Sequence, residues 1–205
     1  MKGKEFQRSV KRFFDIAVSL IILIPCIPLF LVTAAAIKAT SPGPVFFMQK
    51  RPGYQGRTFH IYKFRTMRPG SEKMVKGQEV AKDDARITSV GHFLRRSKLD
   101  ELPQIINVLK GEMSLVGPRP ERLESLQDYD EVIKRRLDML PGMTGLAQVS
   151  GNIYLSLQER YRLDVYYVEH FSLWLDIRIL VRTVGVVLRG EEKYQGKSLI
   201  KKEKC

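Results

Sequence analysis

Two adjacent carboxylates, Asp100 and Glu101, are the residues of this sequence best suited to carry out chemistry. They follow three cations, Arg95, Arg96 and Lys98, so both lie in a positively charged stretch. Neighbouring residues of a helix point about 100° apart, so the two side chains can take different roles. One carboxylate can attack phosphorus as a covalent nucleophile, and the other can hold Mg²⁺, which uses one or two carboxylates plus substrate phosphates. Alternatively, Asp100 belongs to a helix-capping box and Glu101 is a solvated helix charge.

Further candidates are cations of the kind that binds phosphate groups. Arg119 stands between Pro118 and Pro120, and these prolines fix the backbone and lower the entropy lost in presenting a guanidinium. Lys63 and Arg65 can reach the same face of a strand, because residues i and i+2 align. The plainer interpretations are a proline-rich turn with a surface arginine and a solvated strand face.

Composition allows one domain with a sizeable core and favours anionic partners. The chain has 205 residues, 44% of them hydrophobic, which excludes a disordered chain. The net charge of +13 points to nucleic acid, acidic lipid or phosphorylated small molecules. Cys26 and Cys205 give neither a disulfide framework nor metal-ligand spacing. The sequence has no P-loop, dinucleotide fingerprint or serine-nucleophile elbow.

Residues 13–37 form an almost wholly apolar segment, interrupted early by Asp15. As a straight helix it is about 37 Å long at ~1.5 Å per residue, enough to cross a hydrocarbon core of about 30 Å. A cleaved signal peptide is disfavoured because the run is long and no small-residue cleavage site ends it. A single spanning helix and a re-entrant helix-break-helix remain.

Two features favour the re-entrant form. Pro25 and Pro28 lie in the middle of the segment, where each removes a backbone donor and predicts a bend. Both flanks, residues 1–12 and 38–68, are basic, and the positive-inside rule places both on the cytoplasmic side. A hairpin that dips into one leaflet satisfies this rule, whereas a single crossing does not.

The rest of the sequence predicts a mainly helical α+β domain. Its elements, in order, are a β-hairpin over 45–64, a long irregular loop over 68–85, a capping box over 97–100, a short helix over 104–110 that ends at Gly111, a charged helix over 121–138 and a helix over 156–170. A last helix over 173–188 is apolar on one side and arginine-rich on another. Such a helix lies either in a membrane interface or against the core.

Taken together, these motifs resemble the bacterial sugar transferase family, the small monotopic phosphoglycosyl transferases. The matching strings are SPGPVFFMQKRPG, KFRTM, LDELPQIINVLKGEMSLVGPRPE, PGMTGLAQVSGN and LDVYYVEHFSLWLD. The resemblance covers about residues 8–190, and the run from Leu99 to Glu121 is its most specific part.

The resemblance implies an enzyme that moves sugar-1-phosphate from a UDP-sugar to a polyprenol (undecaprenyl) phosphate, releasing UMP in a Mg²⁺-dependent ping-pong reaction. Asp100 matches the family's nucleophile, which forms a phosphosugar-aspartate intermediate, and Glu101 matches its metal-binding residue. The residues expected to bind substrate are Lys63, Arg65, Arg95, Pro118, Arg119, Pro120 and Gln148. The family's anchor is a re-entrant helix, here broken at Pro25 and Pro28.

Two positions depart from the family pattern. Ile27 stands where a serine is expected before Pro28, which removes a hydroxyl that could satisfy a freed carbonyl. Asn152 stands near the place where some small members have an arginine, so one phosphate contact is expected to be absent. The second variation is more like members that handle hexose phosphates for exopolysaccharide.

These observations predict an α/β (α+β, mostly helical) fold at the cytoplasmic face of the bacterial inner membrane. Residues 1–37 would form the re-entrant anchor, 38–190 the catalytic domain and 191–205 a basic tail. The expected partners are a UDP-sugar, polyprenol phosphate, Mg²⁺ and bilayer lipids, and not nucleic acid; the oligomeric state stays open. The alternatives are a membrane-tethered basic adaptor without catalysis and a lipid-phosphate hydrolase.

Overall fold

The computed structural model describes residues 2–71, 84–197 and 199–200. Its helices and strands are α1 (Lys2–Thr40), β1 (Phe46–Pro52), β2 (Thr58–Phe64), α2 (Ser89–Arg96), α3 (Gln104–Lys110), β3 (Ser114–Val116), α4 (Glu131–Lys134), β4 (Gly142–Thr144), α5 (Leu146–Val149), α6 (Leu157–Glu169) and α7 (Leu173–Arg189). The described part is mostly helical with a short antiparallel hairpin, as the sequence predicted. Of the expected loop over 68–85, residues 72–83 lie outside the described residues, as do 201–205 of the basic tail.

Two small sheets frame the domain. Strands β1 and β2 pair antiparallel, with Phe47 opposite Lys63, and confirm the predicted hairpin. Strands β3 and β4 pair parallel, with Val116 opposite Thr144. The main core lies between these sheets, α3, α6 and α7, where Tyr167 is fully buried.

The N-terminal half of α1 is bound to the domain by polar contacts. The Lys11 ammonium pairs with the Asp176 carboxylate of α7 at 2.6 Å, and both side chains are buried. The Arg12 guanidinium donates to the last carbonyls of α3, those of Val108 at 2.6 Å and Leu109 at 3.0 Å. The arginine therefore caps the C-terminal end of α3, where the Val108 carbonyl also accepts a hydrogen bond from the Gly111 amide at 3.0 Å.

The C-terminal half of α1 contacts the same domain through apolar side chains. Ile37 is 2% exposed and packs with Phe64 of β2 and Leu94 of α2. Phe30 meets Phe64 edge-to-face, with 5.1 Å between the ring centroids. Both ends of α1 are therefore held by one compact domain.

The middle of α1 is apolar and exposed. The helix does not end at Pro25 or Pro28, so the expected division into two helices is not confirmed, and its residues Glu5–Thr40 are long and apolar enough to cross a membrane. Its exposed apolar side chains include Leu20, Ile21, Ile24, Ile27, Leu31 and Val32. This surface needs a partner more apolar than water.

Two local expectations were wrong. The Ser97 hydroxyl donates back to the Phe93 carbonyl at 2.8 Å, so no capping box forms over 97–100. The single helix expected over 121–138 is instead two 3₁₀ segments flanking α4. The break arises because the Asp130 side chain accepts a hydrogen bond from the Ile133 amide at 2.7 Å and starts a new helix.

The helices predicted near the C-terminus are confirmed. Ser156 and Glu159 form a reciprocal capping box at the start of α6. Helix α7 buries one face in the core and exposes the other, an apolar face that carries Trp174, Ile177, Val181, Val184 and Leu188.

Candidate functional site

The carboxylate pair lies on a single 3₁₀ turn, Leu99–Glu101, between α2 and α3. The turn follows Lys98, whose φ of 59° lies in the left-handed region that a side chain rarely adopts. Backbone strain of this kind persists only where the surroundings impose it, and it is found at functional sites. The chain reverses direction at Lys98, so the turn that carries Asp100 and Glu101 does not continue the path of α2 and faces the hairpin.

Glu101 is held by two cations from distant parts of the chain. Its Oε1 accepts from the Lys63 ammonium at 2.6 Å and from the Arg119 guanidinium at 3.3 Å. Burial alone raises the pKa of Glu101, but the charges of Lys63 and Arg119 outweigh it and hold the pKa well below its usual range. Glu101 is therefore ionised at every physiological pH.

The pKa of Asp100 is shifted in the opposite direction to that of Glu101. Burial, followed by the neighbouring Glu101 charge, raises the pKa of Asp100 to about 6. Lys63 and Arg95 oppose this shift without cancelling it. At neutral pH Asp100 is mostly ionised, and it is a more basic carboxylate than an ordinary aspartate. Two adjacent carboxylates with separated pKa values are suited to separate roles.

A buried arginine, Arg136, holds the backbone of Arg119 in place. The Nη2 of Arg136 donates to the Arg119 carbonyl at 2.8 Å. The Arg136 side chain is 3% exposed, stacks 4.5 Å from the Tyr161 ring centroid, and donates to the Asp164 carboxylate and the Tyr129 hydroxyl. This network fixes the backbone of the loop that presents Arg119 to Glu101.

Close backbone contact fixes the same loop from another side. A Cβ on Gly142 would lie 2.1 Å from the Gly117 nitrogen, and a Cβ on Gly145 would lie 2.2 Å from the Gly117 oxygen. Only glycine allows the two loops to approach this closely. Pro118, Arg119 and Pro120 therefore start from a rigid base.

Two cavities adjoin the carboxylate pair among the described residues. The first, of about 480 Å³, we call the polar cavity; its lining includes Glu101, Gln104, Arg119, Ser125, Asn152 and Arg160. The second, of about 380 Å³, we call the aromatic cavity; its lining includes Pro44, Phe46, Phe47, Phe64, Met67 and Asp100. Four cations line both, and we call them the cationic wall: Arg51, Lys63, Arg95 and Arg122.

The structure brings most of the predicted site residues together, but Gln148 lies apart and the Arg65 guanidinium is bound to other groups. Asp100, Glu101, Lys63, Arg95, Arg119 and Pro120 line these two cavities, and Pro118 lies at the base of the same loop. Arg65 lines the aromatic cavity, but its guanidinium donates to the Ser41 and Pro42 carbonyls at the end of α1. Gln148 donates to the Met143 carbonyl at 3.1 Å and lines neither cavity.

Sequence reasoning missed several cavity residues, above all Arg51. Its guanidinium donates to the Gln49 side chain at 2.8 Å and to the Pro120 carbonyl at 3.4 Å, so it joins the hairpin to the Arg119 loop. Burial, followed by the Arg119 charge, lowers the pKa of Arg51 to about 10. The hairpin register held the signal, because strand alternation places Phe47, Gln49 and Arg51 on one face.

The carboxylates of this site fit a metal ion that takes most of its ligands from the substrate. No group of three or more His, Cys, Asp or Glu side chains with metal-site geometry occurs within the described residues. Asp100 and Glu101 supply two carboxylates next to a cavity lined by arginines. Mg²⁺ commonly binds through one or two carboxylates plus phosphate oxygens and water, so Glu101 is the residue that would hold it, with Asp100 left free to react.

The sequence profile of the bacterial sugar transferase family matches residues 6–190. The uncharacterized sugar transferase EpsL of Bacillus subtilis is 42% identical over 182 residues, which cover 89% of each chain. The UDP-glucose:undecaprenyl-phosphate glucose-1-phosphate transferase of Xanthomonas campestris is 43% identical over 90% of this chain and 40% of that protein. The undecaprenyl-phosphate galactose phosphotransferase of Salmonella typhimurium is 41% identical over 94% and 43%, respectively.

This chain thus spans less than half of the two relatives whose names state their substrates. It matches EpsL over most of both chains. Because the family profile covers most of the sequence and includes every residue of the carboxylate cluster, the chain belongs to the bacterial sugar transferase family.

Proposed function

We propose that this protein is a phosphoglycosyl transferase that moves sugar-1-phosphate from a UDP-sugar to undecaprenyl phosphate and releases UMP. Asp100 attacks the β-phosphorus of the UDP-sugar, an Asp100–phosphorus bond forms, and the bond to the bridging oxygen of UMP breaks. An oxygen of the acceptor phosphate then attacks the same phosphorus, and the Asp100 carboxylate leaves. The product is a polyprenyl diphosphate sugar, the first membrane-bound intermediate of polysaccharide or glycoconjugate synthesis.

The observation that carries this proposal is the division of labour within the carboxylate pair. Asp100 lines the aromatic cavity, and its pKa of about 6 leaves it ionised at neutral pH but more basic than an ordinary aspartate, whereas Glu101 is kept ionised by Lys63 and Arg119. Phosphoryl transfer asks mainly for positioning and for charge that stabilises the developing phosphate, and Arg119 and Arg51 are placed to supply it.

Mg²⁺ held by Glu101 would supply further positive charge to the phosphate oxygens of the donor. Glu101 itself keeps Lys63 and Arg119 close together and orders the floor of the polar cavity. The Arg119 loop, held by Arg136 and by Gly142, is rigid enough to bind the nucleotide part of the donor without reorganisation.

We propose that residues 1–37 form a re-entrant anchor on the cytoplasmic face of the bacterial inner membrane, in which α1 bends at Pro25 and Pro28 without ending there. A straight helix from Arg12 to Ile37 spans about 38 Å at ~1.5 Å per residue, more than a hydrocarbon core of about 30 Å. Yet Arg12 and Ile37 both contact the same domain. A helix that returns to its own side of the bilayer is compatible with both contacts and with two basic flanks.

The exposed apolar face of α7 supports interfacial attachment of the catalytic domain, residues 38–190. Trp174 is 67% exposed and Leu188 is 78% exposed, on a helix whose other face is buried. Amphipathic helices of this kind lie in the headgroup region of a bilayer. The Lys11–Asp176 pair links α7 to the anchor, so the two exposed apolar helices are joined to each other.

A release assay tests the proposed function directly. Purified protein in detergent or nanodiscs is incubated with Mg²⁺ and a panel of UDP-sugars, with and without undecaprenyl phosphate, and UMP is quantified. Sustained UMP release that needs the lipid acceptor and disappears in Asp100→Asn is expected. Free sugar phosphate made without acceptor would indicate a hydrolase, and no UMP with any donor would favour a membrane-tethered adaptor.

A further inference from the structure

We propose, building on the function above, that both substrates place their phosphates on the same cationic wall and that the rest of each substrate enters a different cavity. The uridine and sugar of the donor occupy the polar cavity. The first isoprene units of the acceptor occupy the aromatic cavity, which thereby selects an apolar alcohol phosphate over a water-soluble one.

The cationic wall is a shared boundary. Arg51, Lys63, Arg95 and Arg122 line both cavities, whereas Asp100 lines the aromatic cavity and Glu101 the polar one. The Nη1 of Arg95 and the Nε of Arg51 are buried donors without a hydrogen-bond partner among the described residues. Buried donors of this kind are normally satisfied, so they indicate a ligand that accepts hydrogen bonds. A phosphate is the acceptor that suits several arginines at once.

The walls beyond these cations differ in their aromatic content. Phe46, Phe47, Phe64 and Met67 line the aromatic cavity only, and so do the polar side chains of Gln49, Arg65, Thr66 and Arg68. Phe46 and Phe64 stack at 5.5 Å, and Phe64 continues to Phe30 of α1. An apolar path therefore leads from the cationic wall toward the membrane anchor, where an isoprenoid chain must go. The aromatic side chains along this path favour such a chain because contact with them removes the chain from water.

Among the described residues, the lining of the polar cavity has no aromatic side chain, and its apolar members are Ile61, Pro120, Ile153 and Leu157. Its own lining carries Gln104, Ser125, Asn152 and Arg160 in addition to Glu101 and Arg119. These side chains offer donors and acceptors that can fix the hydroxyls of a sugar and the edge of a base. Its volume of about 480 Å³ lies in the range of small-ligand sites.

The reaction geometry also requires a shared phosphate position. Each displacement at phosphorus brings the attacking and leaving oxygens roughly in line. Asp100 attacks opposite the UMP oxygen in the first step, so the acceptor oxygen must attack opposite Asp100 in the second. The acceptor phosphate therefore takes the place that UMP has left. The two substrates compete for the cationic wall while their remaining parts occupy separate cavities.

A pair of matched substitutions tests this proposal. Phe47→Ser removes an aromatic side chain from the aromatic cavity, and Ile153→Ser removes an apolar side chain from the polar cavity. Phe47→Ser is expected to raise KM for undecaprenyl phosphate about tenfold, or about 1.4 kcal/mol, while the burst of UMP from UDP-sugar without acceptor keeps its rate. Ile153→Ser is expected to raise KM for the UDP-sugar and leave that for the lipid unchanged.

The opposite pattern would overturn the proposal. A slower UMP burst in Phe47→Ser, or an unchanged KM for the lipid, means that the acceptor chain lies elsewhere. Wild-type protein that makes no UMP would refute the proposed function instead, so the two failures are distinguishable. Loss of folding in Phe47→Ser is detected by circular dichroism, in which case Met67→Ala replaces it.

Photocrosslinking of the wild-type protein gives a second, independent measurement. The probe is a polyprenol phosphate with a diazirine on its first isoprene unit, and labelled peptides are identified by mass spectrometry. Labelling in residues 44–49 or 64–71 is expected, because these segments line the aromatic cavity. Labelling confined to residues 152–160 would place the isoprenoid in the polar cavity and overturn the proposal. Excess UMP should reduce the labelling, since both ligands need the cationic wall.

Discussion

Replacing Arg136 with methionine removes the buried cation beneath the Arg119 loop. Three hydrogen bonds are lost, to the Arg119 carbonyl, the Asp164 carboxylate and the Tyr129 hydroxyl, each contributing about 1 kcal/mol. Asp164 then stays buried without its partner. Breaking one side of a buried ion pair costs about 3–5 kcal/mol in total. At about 2–4 °C per kcal/mol for a chain of this size, we expect the melting temperature to fall by roughly 6–20 °C.

The assay is thermal unfolding in detergent, followed by circular dichroism at several pH values. Burial raises the pKa of Asp164 to about 6, and the loss of Arg136 raises it further. A group whose folded pKa is raised favours the folded state when it is protonated, so the deficit of Arg136→Met should shrink as the pH falls from 7 to 5. A deficit that does not depend on pH would mean that Asp164 does not carry the effect.

The double variant Arg136→Met, Asp164→Leu is the matched control. It removes both charges and should recover most of the lost stability, since apolar replacements of buried ion pairs are often neutral or stabilising. It should not recover UMP release, because the Arg119 carbonyl still lacks its donor. A double variant with wild-type activity, or a single variant within about 1 kcal/mol of wild type, would refute the positioning role of Arg136.

Three further predictions concern the reaction and the anchor. Because burial and the Glu101 charge raise the pKa of Asp100 to about 6, kcat/KM should fall as the pH drops through about 6 and Asp100 becomes protonated; a profile flat from pH 5 to 8 would contradict this. Glu101→Gln should lower kcat by a factor of about 100 or more, as loss of transition-state charge stabilisation does, and should raise the Mg²⁺ concentration for half-maximal activity; an unchanged Mg²⁺ dependence would remove Glu101 from the metal site. Phe6 and Thr40 are both exposed in the structure. In a cysteine-free background, Phe6→Cys and Thr40→Cys should both react with a membrane-impermeant maleimide in inverted vesicles, whose outer surface is the cytoplasmic face, and neither should react in right-side-out vesicles. Labelling of the two positions from opposite sides would establish a spanning helix.

Much of the fold could be predicted where a local pattern determines it. The alternation in 45–64 predicted the hairpin, and Ser156 with Glu159 marks the start of α6. The β3–β4 pair could not be predicted, because strands of three residues carry no periodicity. The charged stretch over 121–138 has a composition that suits a helix, so a single helix was predicted. Instead, the Asp130 side chain caps the start of α4, and only the backbone geometry reveals this cap.

The candidate site divides in the same way. Asp100, Glu101 and Arg119 stand out in the sequence because their neighbours are unusual, with cations before the pair and prolines beside the arginine. Arg51 and Arg136 do not stand out, since their importance comes from contacts with residues far along the chain. Arg136 reaches Asp164, 28 positions away, and Arg51 reaches Pro120, 69 positions away. Such contacts follow from tertiary packing rather than from local sequence.

The central claim is that Asp100 carries the phosphosugar between donor and acceptor, and intact-protein mass spectrometry tests it most directly. The protein is mixed with its UDP-sugar and Mg²⁺ in the absence of undecaprenyl phosphate, the reaction is quenched in acid, and the intact mass of the protein is measured. We predict an increase equal to one sugar phosphate, which maps to Asp100, is absent in Asp100→Asn and disappears when undecaprenyl phosphate is added before the quench. No adduct in a protein that turns over with both substrates, or an adduct on another residue, would contradict the account.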